Sequence, residues 1–143
     1  MSTQVKYPVA IVAVFLWIGF VCAISFMEAW LKFRAPGVTL PIGLGIGRLV
    51  FSALNKVEWV FAVAILMSMV GSVRWFSPNA VLMYIPLGLL LLQTFWLLPA
   101  LGMRAEMHIQ GQPPASSGLH IYYVAAEVIK VSCLFIFGLK QFK

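Results

Sequence analysis

Four long apolar stretches, at about 8–31, 54–73, 79–101 and 119–139, alternate with short polar breaks along the chain. Each is close to the roughly 20 residues an α-helix needs to cross about 30 Å of hydrocarbon. Backbone amides in lipid must be satisfied within one helix or around a closed barrel, and continuous apolar runs lack the alternation of barrel strands. The pattern predicts an all-α integral membrane protein, a four-helix transmembrane bundle making one membrane domain over 1–143. The first run follows Lys6 as a signal peptide would, but about two dozen apolar residues are too many for an h-region, so it reads as a retained first span.

The breaks set the topology. With four crossings both termini share one face, here side B, and the 1–2 and 3–4 connections share the other, side A. Arg74-Trp75-Phe76-Ser77-Pro78 forms a tight turn on side B, with Ser77 and Pro78 opening the third helix. The 38–54 connection is apolar apart from Arg48 and carries Gly43, Gly45 and Gly47. It reads as a helical extension before span 2, an interfacial segment or a re-entrant piece. No strand precedes these glycines and no Lys-Ser/Thr follows, so they suit close backbone packing and not a phosphate loop. The 102–118 connection, with Arg104, Glu106, His108, Pro113 and Pro114, is the expected polar loop.

Composition narrows the class. The chain is 62% hydrophobic and 10% charged, against roughly 25% charged in a soluble domain, which excludes a soluble fold. A net charge of +6 would suggest nucleic acid in a soluble protein. Here the basic residues flank spans, so membrane lipids are the expected partners and no nucleic acid is. Lys32, Arg34, Arg48, Lys56 and Arg104 lie towards side A, and Lys6, Arg74, Lys140 and Lys143 towards side B. Setting aside Arg48 and Lys56 as partly intramembrane leaves side B ahead by four to three, which favours cytoplasmic termini in a bacterial inner membrane. Cys22 and Cys133 fall at different depths and read as packing residues without a disulfide.

Charged groups within spans are expensive and face the bundle interior. At 100° per residue His120, Tyr123, Glu127 and Lys130 fall within about an 80° arc of the fourth helix. Glu127 and Lys130, three apart, can neutralise each other. Arg48, Asn55 and Glu58 make a second stripe if the start of span 2 is helical, and Glu28, Gln93 and Arg104 can join from the other helices. One reading is a buried ion-pair network that holds the helices in register, as in a structural or assembly subunit. The other is a polar pocket open to side A that binds or moves a small polar or ionic solute. Glu58 or Glu127 is then its proton-sensitive carboxylate, with His120 at the mouth.

Four helices are few for a transporter, so a homo-oligomer is expected. The Glu-x-x-His spacing of di-iron bundles is missing, so no metal is assigned, and no residue pattern names a cofactor. Pro86 and Pro99 would loosen turns of the third helix. Trp17, Trp30, Trp59, Trp75 and Trp96 read as interfacial belt and packing.

Two resemblances attach to these residues. The order of Phe33 and Pro36 after a Gly-Phe-containing span, Leu44-Gly45 to Phe51, Arg74-Trp75 with Pro78, Pro99 and Arg104, then Leu119-His120 with Glu127 seven positions on, resembles the transmembrane protein 205-like family of small four-span proteins and related bacterial domains. That family implies architecture more than activity, and Glu127 stands where its members tend to have a small polar or amide residue. The spacing Arg48, Asn55, Glu58 is similar to the Arg-x6-Asn-x2-Glu motif of membrane-associated proteins in eicosanoid and glutathione metabolism. This second resemblance implies a trimeric, glutathione-dependent membrane enzyme, although the His that normally precedes the Asn is missing.

Overall fold

The computed structural model describes residues 4–5, 7–71 and 77–142. The expected 2–3 turn residues Arg74, Trp75 and Phe76, together with Lys6 and Lys143 of the charge comparison, lie outside the described residues. Four helices carry the fold: α1, Pro8–Arg34; α2, Leu40–Met69; α3, Pro78–Ile109; and α4, Leu119–Leu139. All are long and apolar enough to cross a membrane, and no strand occurs among the described residues. The chain is a multi-pass, all-α four-helix membrane protein.

Local chemistry fixes the helix ends. Proline stands in the first turn of α1, α2 and α3, where its missing N–H leaves no bond unmade. Thr39 Oγ1 accepts the Ile42 amide at 3.5 Å and Ser77 Oγ accepts the Ala80 amide at 3.3 Å, capping α2 and α3. At the far end of α3, Gly111 adopts φ 78°. The Gly111 amide bonds to the His108 carbonyl at 3.2 Å and the Gln112 amide to the Met107 carbonyl at 2.9 Å, the paired arrangement that needs a left-handed residue just past the helix.

Packing follows an up-down-up-down ring, with α1 against α2 and α4, and α3 against α4 and, through its last turns, α2. An antiparallel bridge between Val5 and Phe142 brings the two ends of the chain together on side B. In the half nearer side B the interior is apolar: Val14, Trp17 and Val21 of α1 meet Ala62 and Ile65 of α2, Leu90 of α3, and Leu134 and Phe137 of α4. The outer surface is apolar too. Leu49, Phe95, Met103 and Ile121 are at least 70% exposed, whereas Glu58, Glu127 and Lys130 are at most 1% exposed. Apolar outside and charged inside inverts a soluble protein and suits a lipid solvent.

One connection takes the helical of its three expected alternatives, and the other differs from expectation. The 38–54 stretch is continuous helix from Leu40, so α2 has 30 residues and no re-entrant break. Its glycines serve contact: a Cβ on Gly43 would enter the Phe33 ring, and one on Gly47 would lie 3.2 Å from Lys32 Nζ. The expected 102–118 loop begins only at Gln110, because α3 continues to Ile109. Arg104, Glu106 and His108 have loop-like composition, but no residue among them breaks a helix. At about 1.5 Å per residue, helices of this length exceed the roughly 30 Å of hydrocarbon, and the surplus turns of α2 and α3 build the side A end.

Both α1 and α3 contain a π-helical turn, at Cys22–Glu28 and Gln93–Leu97. The second sits just ahead of Pro99, whose ring and missing N–H disrupt the regular bond back to Phe95. Each such turn shifts the helical phase.

Candidate functional site

The polar side chains predicted to form one pocket are split by the structure into two layers. The outer layer is a cavity of about 820 Å³ at the side A end, lined by all four helices. Lys32 and Phe33 come from α1, and Arg48, Phe51, Asn55 and Lys56 from α2. Leu98, Arg104, Glu106 and His108 come from α3, and His120 and Tyr123 from α4. The inner layer is a network of buried Glu58, Gln93, Glu127 and Lys130 with half-buried Ser25 at its edge.

In the outer layer the charges are unbalanced. Lys32, Arg48, Lys56 and Arg104 face a single lining carboxylate, Glu106. Arg48 is ion-paired with Glu106, and Arg104 donates to the Ala115 carbonyl at 2.5 Å, tying the 110–118 loop to α3. Glu28 does not line the cavity as expected; it lies 3.3 Å from Lys32 Nζ, one helical turn away on α1. Lys32 also packs over the rings of Phe33 and Phe51, 5.2 and 5.7 Å from their centroids. Counting Glu28 with the lining, four cations oppose two carboxylates, a net +2. His120 is exposed at the rim, where the sequence put it.

Asn55, Thr94 and Tyr123 floor the cavity. Thr94 Oγ1 accepts from Asn55 Nδ2 at 2.9 Å and Trp59 Nε1 at 3.0 Å and donates to the Leu90 carbonyl at 2.7 Å, so this hydroxyl is fully used. Tyr123 packs edge-on against Phe51, and its hydroxyl lies near Ser25 below. Tyr123 therefore touches both layers.

The inner layer centres on Lys130. Its ammonium donates to Glu58 Oε2 at 2.7 Å and to Gln93 Oε1 at 2.5 Å, and it lies 2.6 Å from Glu127 Oε1. Two of its donor directions are used in hydrogen bonds, and the third contact is an ion pair. Glu127 also accepts Gln93 Nε2 at Oε1 and Ser25 Oγ at Oε2, each at 2.6 Å. Ser25 and Gln93 sit in the two π-helical turns, so the two departures from regular helix both aim a donor at Glu127. Glu58 is less well served. Its Oε1 has no hydrogen-bond partner, and neither has the indole Nε1 of Trp17, which faces the same carboxyl.

Of the expected site residues, Arg48, Asn55, Arg104, His120 and Tyr123 line the cavity. Glu58, Glu127 and Lys130 do not, because they lie a turn deeper and spend their polar atoms on one another. The motif Arg48, Asn55, Glu58 is divided between the layers for the same reason. Ser25, Thr94 and the inward-facing Trp17 were missed; nothing in their composition separates them from packing residues. Among the described residues no group of three or more His, Cys, Asp or Glu is placed to hold a metal ion.

No family model matches the chain. No curated protein and no solved structure matches it either. The two resemblances rest on their short motifs alone.

Proposed function

We propose that the protein binds, and carries across the membrane, a small organic anion held in the side A cavity. The observation that carries this reading is the sign of the lining: four cations against one lining carboxylate, a net +2 once Glu28 is counted, beside apolar wall supplied by Phe33, Leu44, Phe51, Leu98 and Leu101. A charge excess of this kind focuses anions into a low-dielectric cleft. Apolar walls with a few convergent charges suit an amphiphilic ligand, and the volume falls in the roughly 300–1,000 Å³ range of small-molecule sites. Lys56, with no ion pair among the described residues, is the first anion-pairing group, and Lys32, held at the wall 3.3 Å from Glu28, is the second; Arg48 is paired with Glu106 and Arg104 is tied to the Ala115 carbonyl.

Orientation and assembly belong to the same proposal. The termini face the cytoplasm of a bacterial inner membrane, and the working unit is a homo-oligomer, because four helices around one cavity leave no second half to alternate against. The test is a thermal-shift screen of the detergent-purified protein against phosphate, glutathione, short-chain carboxylates and matched organic cations. Stabilisation by anions alone, lost in Lys32→Met with Lys56→Gln, supports the reading. Stabilisation by cations, or by nothing, rejects it.

A further inference from the structure

The inner network does not balance its charge. Glu58 and Glu127 oppose one ammonium, Lys130, and these three are the buried charged residues among those described. Every helix packed on them is accounted for: α1 supplies Trp17 and Ser25, α2 Glu58, α3 Gln93, and α4 Tyr123, Glu127 and Lys130. None brings a second cation. Two ionised carboxylates would leave a net −1 sealed in the bundle, and an uncompensated buried charge is among the costliest features a fold can hold. One proton brings the network to neutrality.

Hydrogen bonding says which carboxyl holds it. Glu127 accepts one hydrogen bond at each oxygen, from Ser25 and from Gln93, and has the Lys130 ammonium 2.6 Å from Oε1, as suits a carboxylate anion. Glu58 receives only Lys130, at Oε2, and its buried Oε1 has no donor. A neutral carboxyl tolerates a missing donor better than a carboxylate does, so the proton belongs on Glu58, the less well served of the two. We propose that the network is an intramembrane proton site that holds one proton on Glu58 at neutral pH and exchanges it with the side A cavity through Tyr123, Ser25 and Glu127.

The route conserves protons at each step. A proton from cavity water passes along the Tyr123 and Ser25 hydroxyls, each accepting one proton and releasing another, and reaches Glu127. Lys130, hydrogen-bonded to Glu58 and 2.6 Å from Glu127 Oε1, releases a proton to Glu58 and takes up the one on Glu127, which restores the ammonium. Discharge runs the same path backwards. The site stands on the buried network and not on the identity of any solute in the cavity, so it is measured with no ligand present.

The experiment is infrared spectroscopy of the full chain in lipid nanodiscs at neutral pH, reading the C=O stretch of protonated carboxyls in H2O and after exchange into D2O. Glu28 and Glu106 are partly exposed and ion-paired, so they add nothing to that band. The wild type shows one buried protonated carboxyl per chain. Glu58→Gln and Glu127→Gln each remove the band, because Lys130 then balances the carboxylate that remains, and Lys130→Met strengthens it, because both carboxyls must then be neutral. Tyr123→Phe keeps the band but slows its shift in D2O by about a hundredfold, the lower range for a positioned proton-transfer group. Absence of the band from the wild type overturns the proposal whatever the variants do. Retention of the band in both folded glutamine variants, or unslowed exchange in Tyr123→Phe, overturns the assignment and the route respectively.

Discussion

Replacing Lys130 with Met removes the ammonium but keeps an unbranched side chain of similar length, so the packing loss is small and the effect is electrostatic. Two acceptors lose their shared donor, Glu58 at 2.7 Å and Gln93 at 2.5 Å, and Glu127 loses its ion-pair partner at 2.6 Å. Breaking a buried ion pair by deleting one partner costs about 3–5 kcal/mol. An independent figure comes from the escape open to the variant, which is to take up one more proton. Protonating at pH 7 a carboxyl of ordinary pKa about 4.3 costs roughly 2.7 units at about 1.4 kcal/mol each, or about 4 kcal/mol.

The two figures agree, and the second adds a pH dependence. The folded variant binds one more carboxyl proton than the folded wild type, while the unfolded chains bind the same number on their carboxyls. The deficit therefore falls by about 1.4 kcal/mol for each pH unit lowered from 7 towards 5. Reversible unfolding in mixed micelles, followed by the fluorescence of buried Trp17 and half-buried Trp59, measures it. A loss below about 1 kcal/mol, as for an exposed pair, would refute the reasoning.

Three further outcomes follow from other parts of the structure. Combining Glu58→Gln and Glu127→Gln with Lys130→Met removes every buried charge, and because neutral replacement of buried ion networks is often tolerated, it regains about half or more of the single variant's loss in the same unfolding assay. Gly43→Leu drives a side chain into the Phe33 ring; overpacking of this kind costs about 1–3 kcal/mol, and Phe33→Ala in the same chain restores most of the unfolding midpoint. Lys32→Met, which removes a cation only 9% exposed at the cavity wall, weakens binding of a short-chain carboxylate about tenfold or more, since a hydrogen bond to a charged group contributes about 1.5–3 kcal/mol, read by titration calorimetry.

How much the sequence revealed differed between direction and depth. On α4, an unbroken helix, the 100° count grouped His120, Tyr123, Glu127 and Lys130; the first two line the cavity, the last two lie below it, and the i, i+3 ion pair exists at 2.6 Å. On α3 both Gln93 and Arg104 face inward, but about 16 Å of helix between them puts them in different layers, and Ser25, in the π-helical turn of α1, reads in the sequence as a packing residue. Span number and apolar exterior were legible because hydrocarbon imposes both on composition. The depth at which the cavity stops was not. Arg48, Asn55 and Glu58 share a stripe on α2, but whether a polar residue meets a cavity or a buried network depends on what the other three helices place opposite it. The polar last turns of α3 were read as loop, because composition registers the end of the hydrocarbon and not the end of the helix.

The most direct test of the account is a calorimetric titration of the full chain in nanodiscs with hexanoate and with hexylammonium, corrected with empty nanodiscs. These probes share one apolar body and differ in the sign of the head group. The account predicts saturable binding of hexanoate, lost in Lys32→Met with Lys56→Gln, and none of hexylammonium. Equal binding of the two, or hexanoate binding unchanged in the double variant, would contradict it.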